Sequence, residues 1–357
     1  MSIVLITGSS GLIGSEAASY FASLGFDVIG IDNDMRSYFF GADGSTIWNR
    51  KHTEANLGSK YKHHEMDIRN YDDLKKLFIE LGSEIALIIH AAAQPSHDWA
   101  SKEPLVDFAV NANGTLNLLE CFRHYASQAV FIYMSTNKVY GDRPNSLPLI
   151  ELESRWEIEA GHAFEQGISE VMSVDSCLHS LFGVSKLAAD MMVQEYGRYF
   201  GLQTVVFRAG CLTGSGHSGT QLHGFLGYLV KCAVVGTQYS IYGYKGKQVR
   251  DNLHSQDLIT AFHEYFKKPT PAAVYNIGGG RFSNCSMLEA IEEVEQISGS
   301  KLKYQYLDQN RIGDHIWWVS SNAKFSQDYP EWKQKFNMRK ILMDIYESNY
   351  ERWLAEK

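Results

Sequence analysis

The chain has 357 residues, of which 45% are hydrophobic and 21% charged. This composition excludes a disordered protein, a collagen-like repeat and a disulfide-rich miniprotein. A net charge of −8 without a run of Lys or Arg argues against a nucleic-acid partner. No apolar run reaches the ~18–20 residues of a membrane span, and a signal-peptide pattern is absent, so we expect a cytoplasmic protein with no membrane partner.

The 5 cysteines are scattered and lack a CxxC pair, which predicts reduced thiols rather than disulfides. The 13 histidines lack metal-ligand spacing, so no metal is expected.

Short apolar runs alternate with helical patterns through the first two-thirds of the chain. The predicted strands are 3–6, 28–31, 86–89, 130–134 and 204–207, and the predicted helices are 12–24, 71–81, 104–126, 181–200 and 252–266. Strands that are apolar throughout are buried on both faces, so the alternation predicts an α/β fold with a Rossmann-type, doubly wound parallel sheet. We expect one domain over 1–210, with a returning segment at about 250–278, and a smaller C-terminal substrate lobe over 211–357.

A glycine-rich turn follows the first predicted strand and opens the first predicted helix. Gly8, Gly11 and Gly14 permit a tight turn and close approach of the backbone to a pyrophosphate, which the positive end of the helix dipole attracts. Asp32 ends the next strand, where a carboxylate can accept hydrogen bonds from ribose hydroxyls and repels a 2′-phosphate. The pattern therefore predicts that the first domain binds NAD rather than NADP. Arg36 lies farther along and does not reverse this prediction.

These motifs resemble those of the extended short-chain dehydrogenase/reductases, specifically the nucleotide-sugar epimerases and dehydratases, over nearly the whole chain. Further matches are His90–Ala93, NANGT at 111–115, STNKVYGD at 135–142, GVSK at 183–186 and Phe207-Arg208. The resemblance implies additional cofactor contacts from Leu12, Ile13, Asn33, Arg36, Asp67, Ile68, Ala91, Ala92, Ala93, Asn111 and Lys186. For Asp67, helix capping is nearly as good an explanation.

The resemblance also implies a reaction. In this family a Tyr-x-x-x-Lys pair and a Ser/Thr hydroxyl at a strand end take the proton of a sugar hydroxyl while hydride leaves the carbon. Thr136 and Lys186 match two of these positions, but Phe182 stands where the tyrosine is expected. A phenyl ring cannot exchange a proton.

Three explanations for Phe182 stay open. Another side chain supplies the base, namely His179, one helical turn earlier, or one of Lys138, Tyr140, Cys177 and His97. Alternatively, the residue is a deliberate tyrosine-to-phenylalanine replacement that traps a ligand, or the protein has lost oxidation and only binds its ligands. We favour the relocated base.

The remaining matches concern the substrate. Asn137 and Lys138 replace the Asp and Glu that dehydratases use to expel water, which disfavours dehydration. The resemblance implies substrate contacts from Gln94, Thr136, Asn137, Lys138, Arg208, Arg250, Arg311 and Asp314, in which arginine forks suit a diphosphate. The segments STNKVYGD and GKQVRDNLH (246–254) are very similar to those of epimerases that act at C2 of CDP-sugars. A CDP-sugar is therefore the favoured substrate.

We expect an NAD-dependent nucleotide-sugar epimerase that works through a transient keto-sugar. The alternatives are a net oxidoreductase and a silent binding protein. The family resemblance also implies a homodimer built from helices at 104–126 and 181–200. Two long insertions, 37–50 and 154–179, are candidate lids or oligomer contacts.

Overall fold

The computed structural model describes residues 2–220, 223–309 and 313–355. The strands are β1 (Ile3–Thr7), β2 (Asp27–Asp32), β3 (Tyr61–Glu65), β4 (Ile85–His90), β5 (Val130–Thr136), β6 (Leu149–Glu151), β7 (Trp156–Ile158), β8 (Gln203–Ala209), β9 (Cys211–Thr213), β10 (Tyr239–Tyr242), β11 (Val249–His254), β12 (Ala273–Ile277), β13 (Asn284–Ser286), β14 (Tyr304–Leu307) and β15 (Trp317–Trp318). The helices are α1 (Leu12–Ser23), α2 (Met35–Phe40), α3 (Ile47–Leu57), α4 (Tyr71–Leu81), α5 (His97–Lys102), α6 (Pro104–Phe108), α7 (Gly114–Tyr125), α8 (Leu181–Phe200), α9 (Phe225–Val235), α10 (Ser255–Lys267), α11 (Met287–Ser298), α12 (Ala323–Asp328) and α13 (Met338–Ala355).

The main sheet has seven strands in the order β12-β8-β5-β4-β1-β2-β3. β1 pairs in parallel with both β2 and β4, and every residue of its apolar run is buried, as expected for a central strand of a parallel sheet that is covered on both faces. The chain leaves β1 toward β2 and β3 and then returns to β4 on the other side. This reversal of strand order is where doubly wound sheets bind ligands. The predicted α/β fold is confirmed.

The residues divide into two compact units. Unit 1 comprises Met1–Val139, Ser180–Arg208 and Ile259–Tyr275, and unit 2 comprises Tyr140–His179, Ala209–Leu258 and Asn276–Lys357. The core of unit 1 includes Leu5, Phe78 and Phe131. The core of unit 2 includes Leu229 and Ile345, from helices α9 and α13.

Residues 140–179 belong to unit 2, although the sequence patterns place them with the first domain. Long-range hydrogen bonds hold this segment there: the Ile168 amide donates to the Val319 carbonyl (2.7 Å), and His315 bonds the Gly141 carbonyl (2.8 Å). Such partners leave no trace in local spacing. What each unit binds stays a prediction.

Two predicted helices differ from the structure. The helix expected over 104–126 is interrupted by a π-helical stretch, Ala109–Asn113, between α6 and α7. The helix expected from residue 252 begins at Ser255, because 249–254 forms the fully buried strand β11. Strand β3 is half-polar (YKHHE), since it lies at the sheet edge and buries one face only.

The insertion at 37–50 folds into the end of α2, a short 3-10 turn and the start of α3. In the described part of the chain, no helix is both long and apolar enough to cross a bilayer.

Candidate active site

The glycine turn after β1 is packed too tightly for side chains. A Cβ on Gly8, whose φ is +68°, would lie 2.7 Å from the Ala92 amide nitrogen, and one on Gly14 would lie 2.2 Å from the Gly8 oxygen. Among the described residues, no side chain caps the start of α1 at Gly11. The amides that open this helix, at Leu12 and Ile13, are thus left for an anion. The backbone cradle fits the diphosphate of a dinucleotide.

Two residues that sequence reasoning missed hold the turn in place. The Asn49 amide on α3 donates to the Ser10 carbonyl (3.0 Å) and the Ser15 hydroxyl (2.7 Å). The Tyr61 hydroxyl donates to Ser9 Oγ (3.0 Å), and burial raises the pKa of Tyr61 to about 12. Neither residue belongs to a motif, so no sequence signal marks it.

Asp32 lies at the end of β2 as predicted. Its carboxylate accepts hydrogen bonds from the amides of Ser10 (3.0 Å) and Asp34 (2.8 Å). Burial raises the pKa of Asp32 against the lowering effect of these bonds. The carboxylate is therefore oriented at the edge of the glycine turn, where ribose hydroxyls are expected.

Asn33 and Asp67 meet beyond the ends of β2 and β3. Burial raises the pKa of Asp67, but hydrogen bonds from Arg69 (2.6 Å) and from Asn33 bring it below the ordinary value. Ile68 is buried against Gly114.

Arg36 lies on α2 and contacts Phe40 and the residues that follow this helix. Its Nε donates to the Gly44 carbonyl (3.2 Å), and its guanidinium lies 5.0 Å from the Phe40 ring centroid. Burial lowers the pKa of Arg36 to about 10. Its predicted cofactor contact stays a prediction.

A series of hydrogen bonds, here called the relay, passes through His90 and links Ala92, Thr7, Thr115 and Asn111. The Ala92 amide donates to Thr7 Oγ1 (3.3 Å), whose hydroxyl donates to His90 Nδ1 (2.7 Å). His90 Nε2 then donates to Thr115 Oγ1 (2.9 Å), which donates to the Asn111 carbonyl (2.6 Å). The chain of donors fixes a neutral His90, and burial lowers its pKa to about 3. These bonds hold the backbone of the Ala91–Ala93 segment through the Ala92 amide.

The π-helical stretch aims Asn111 at a buried polar cluster. Its amide donates to the Gln94 carbonyl (3.0 Å), Asp107 Oδ1 (3.1 Å) and Ser185 Oγ (3.0 Å), and its oxygen accepts from the Gln94 amide (2.9 Å). The Gln94 side chain turns inward and donates to Asp107 Oδ1 (2.7 Å) and the Ser96 carbonyl. In this structure the Asn111 side chain therefore bonds the Gln94 backbone and the Gln94 side chain bonds buried Asp107, and both side chains support the site through these bonds.

Lys186, on α8, bonds the backbone of β5 near its carboxyl end, where Thr136 is the last residue. Lys186 Nζ donates to the Met134 carbonyl (2.6 Å), two residues before Thr136, and lies 4.4 Å from the Tyr133 ring centroid. Burial lowers the pKa of Lys186 to about 7 against the raising effect of Asp190 and Asp107. Thr136 Oγ1 accepts from the Lys138 amide (3.2 Å) and donates to Asn137 Oδ1 (3.3 Å).

Phe182 is buried one helical turn before Lys186. Its ring makes an edge contact with the imidazole of His97, with centroids 5.0 Å apart. His97 Nδ1 is hydrogen-bonded to Ser180 Oγ (2.7 Å), and Ser180 caps α8 by accepting from the Gly183 amide (3.1 Å). His179 lies in unit 2, with both ring nitrogens 3.7 Å from Cys177 Sγ.

The predicted substrate arginines have internal partners. Arg208 donates two bonds to buried Asp190 (3.0 and 2.9 Å). In unit 2, Arg250 pairs with Asp314 (2.7 Å). Arg311 lies outside the described residues. In the described ranges all five cysteines are free thiols, and no cluster of three or more metal-ligating side chains occurs.

Comparisons with known proteins agree with this geometry. Residues 4–278 match the NAD dependent epimerase/dehydratase family. The chain is 31% identical over 352 residues to CDP-paratose 2-epimerase of Salmonella typhi, which covers 96% of this chain and 98% of that protein. It is 26% identical to UDP-glucuronate 4-epimerase of Thermodesulfobacterium geofontis over 91% of this chain and 90% of that one.

Among solved structures, a tyrosine-to-phenylalanine mutant of UDP-glucuronic acid 4-epimerase from Bacillus cereus, in complex with UDP-4-deoxy-4-fluoro-glucuronic acid and NAD, superposes with a TM-score of 0.79. It is 24% identical, and the match covers 99% of each chain. dTDP-glucose 4,6-dehydratase from Bacillus anthracis, in complex with NAD, gives a TM-score of 0.75 at 22% identity, with the match covering all of both chains. These likenesses confirm the fold.

Proposed function

Because this chain belongs to the NAD dependent epimerase/dehydratase family, we propose that it epimerises a nucleotide sugar through a transient keto-sugar. The membership also confirms the resemblance seen in the sequence and the prediction of NAD as cofactor. The observation that carries the proposal is the buried Lys186 on α8, which bonds the Met134 carbonyl two residues before Thr136 and lies one turn after Phe182. These are the positions at which the family oxidises a sugar hydroxyl.

When bound, NAD would supply the hydride acceptor for a ring carbon of the sugar. The glycine turn would hold its diphosphate, and Asp32 would accept hydrogen bonds from its ribose hydroxyls. Lys186 would donate to the nicotinamide ribose, and Thr136 would orient the reacting hydroxyl of the sugar. Asn137 and Lys138 follow Thr136 directly, and neither side chain is a carboxylic acid or carboxylate. This favours epimerisation over dehydration.

A CDP-sugar that reacts at C2 is the proposed substrate. The support is the 31% identity to CDP-paratose 2-epimerase, together with the segments at 135–142 and 246–254. We propose that Arg250 binds the diphosphate. Its guanidinium is paired with Asp314 in this structure, so the diphosphate must either displace Asp314 or bind beside it. Contacts from Gln94, Arg208 and Arg311 stay predictions.

The test begins with mass spectrometry of small molecules released by denaturing the purified protein. We expect NAD rather than NADP, and a cytidine nucleotide where a sugar nucleotide is retained. The protein is then incubated with CDP-paratose, UDP-glucuronic acid and UDP-glucose, and the products are separated by chromatography. An epimer should form while bulk NADH absorbance stays flat and deuterium at the reacting carbon is retained. Stoichiometric NADH release would instead indicate a net oxidoreductase.

A second candidate is a silent binding protein, and Phe182 is the observation that favours it. In that case epimerisation should appear only in Phe182→Tyr. Turnover by the unaltered chain would eliminate this candidate.

A further inference from the structure

The place left by the missing tyrosine is already in contact with an imidazole. His97 opens α5 and is half-buried, and its ring meets the edge of Phe182 at a centroid distance of 5.0 Å. Imidazole exchanges protons near neutral pH, whereas phenyl does not. Among the described aromatic contacts of Phe182, which occupies the position of the family's tyrosine, His97 is therefore the titratable side chain.

Phe182 lies on the same face of α8 as Lys186, which bonds β5 near Thr136. Lys186 follows Phe182 by one turn and bonds β5 at Met134, two residues before Thr136. His97, Phe182, Lys186 and Thr136 all lie in unit 1. A group in contact with the Phe182 ring lies within reach, directly or through one water, of a hydroxyl held there.

Ser180 anchors the imidazole. Its hydroxyl oxygen bonds His97 Nδ1 at 2.7 Å while it caps α8. A histidine whose one ring nitrogen is held by a hydrogen bond has a defined orientation, and the other nitrogen performs proton exchange. Ser180 thus serves as a positioning residue.

The competing candidates are less well placed. The Tyr140 hydroxyl is fully buried and donates to Asn276 Oδ1 (2.8 Å). Burial raises the pKa of the Cys177 thiol, which keeps it protonated.

We propose that His97 is the acid/base catalyst that replaces the family's tyrosine in this chain, an inference that rests on the proposed function. In the forward step the O–H bond of the sugar hydroxyl breaks and its proton passes to the imidazole. The C–H bond of the same carbon breaks, its electron pair leaves as hydride to NAD⁺, and a C=O bond forms. On return, hydride adds to the other face of the carbonyl and the imidazolium gives its proton back to the oxygen. No other reactant is needed.

The test compares His97→Asn with the unaltered chain on CDP-paratose, UDP-glucuronic acid and UDP-glucose. An asparagine amide occupies the place of Nδ1 and keeps the bond to Ser180, but it cannot exchange a proton. We expect kcat/KM to fall by ~10²–10⁴, with unchanged retention of NAD by mass spectrometry and unchanged affinity for CDP by calorimetry. His124→Asn, on the exposed end of α7, is the matched control.

The double variant His97→Asn/Phe182→Tyr makes the test specific. A tyrosine one turn before Lys186 restores the family's base, so epimerisation should recover by about tenfold or more. Should the asparagine variant fail to fold, His97→Gln replaces it, because its amide also cannot exchange a proton although it takes the place of Nε2 rather than Nδ1.

Four results separate the outcomes. Activity of His97→Asn within about threefold of the unaltered chain, or a loss that Phe182→Tyr does not restore, would overturn the inference alone. A loss in His179→Asn with full activity in His97→Asn would overturn it in favour of His179. An unaltered chain that epimerises none of the three sugars would overturn the proposed function, and the inference with it.

Discussion

His90 is held neutral at the end of β4 by two threonine hydroxyls. His90 donates to Thr115 and accepts from Thr7. A second proton on the ring would have no acceptor, and the charge would be fully buried. Burial lowers the pKa of His90 to about 3, whereas in the unfolded chain it is about 6.5. Between these values the unfolded chain binds one more proton, so stability falls as the pH falls.

Replacing His90 with glutamine should remove this acid sensitivity, because the amide keeps one donor and one acceptor but does not titrate. Between pH 7 and pH 5 the free energy of unfolding of the unaltered chain should fall by about 1–2 kcal/mol more than that of His90→Gln. Urea titrations at both pH values measure the difference. Parallel losses in both proteins would refute the assignment, and exposed His124→Gln is the control.

At the scale of elements, the π-helical stretch between α6 and α7 carries Asn111, which lies at the centre of the buried polar cluster. From this stretch the Asn111 amide bonds Asp107 Oδ1, the Gln94 carbonyl and Ser185 Oγ together. Such stretches are frequent at functional sites. The cluster joins the helix to α8, which carries Lys186.

Removing the Asn111 amide should leave several buried polar groups unsatisfied. We expect Asn111→Ala to lower the free energy of unfolding by about 2–3 kcal/mol and to weaken retention of NAD. Asn113→Ala lies in the same stretch but on its exposed side, and it should change stability by less than about 0.5 kcal/mol. Denaturant titration of both variants is the measurement. Equal effects would show that the cluster contributes nothing specific.

At the scale of the whole molecule, unit 1 exposes an apolar surface on neighbouring helices. Its members are large side chains of α6, α7 and α8: Leu105, Phe108, Leu116, Leu181, Val184 and Met191. Leu105 is 87% exposed, and clustered exposure of this kind marks interaction surfaces. These are the helices for which the family resemblance implies a homodimer, which stays a proposal.

Light scattering after size exclusion should give the mass of a dimer. Leu105→Asp combined with Val184→Asp should shift the protein to a monomer, because two charges would be buried in the contact. Ile79→Asp is the control, because Ile79 lies on the exposed face of α4, and it should leave the mass unchanged. A monomeric mass for the unaltered chain would contradict the proposal.

Much of the cofactor end follows from contiguous patterns. Gly8, Gly11 and Gly14 lie between an apolar run and a helical pattern, and Asp32 ends the next run. Local spacing therefore predicts both the turn and the carboxylate. The resemblance likewise located Thr136, Lys186 and Phe182 by their motifs.

Other features depend on partners distant in the chain. Gln94 and Arg208 match substrate positions of the family, yet their side chains are engaged by Asp107 and Asp190. The anchors Asn49 and Tyr61 carry no motif because their partners Ser10 and Ser9 come from another element.

The amino-acid sequence by itself predicted five of the seven strands of the main sheet, the glycine turn and the absence of the expected tyrosine, because periodicity and spacing are properties of neighbouring residues. Only the tertiary structure decided which side chain lies against Phe182. His97 and Phe182 belong to different helices, and their contact arises from the packing of α5 on α8. No local pattern encodes that contact.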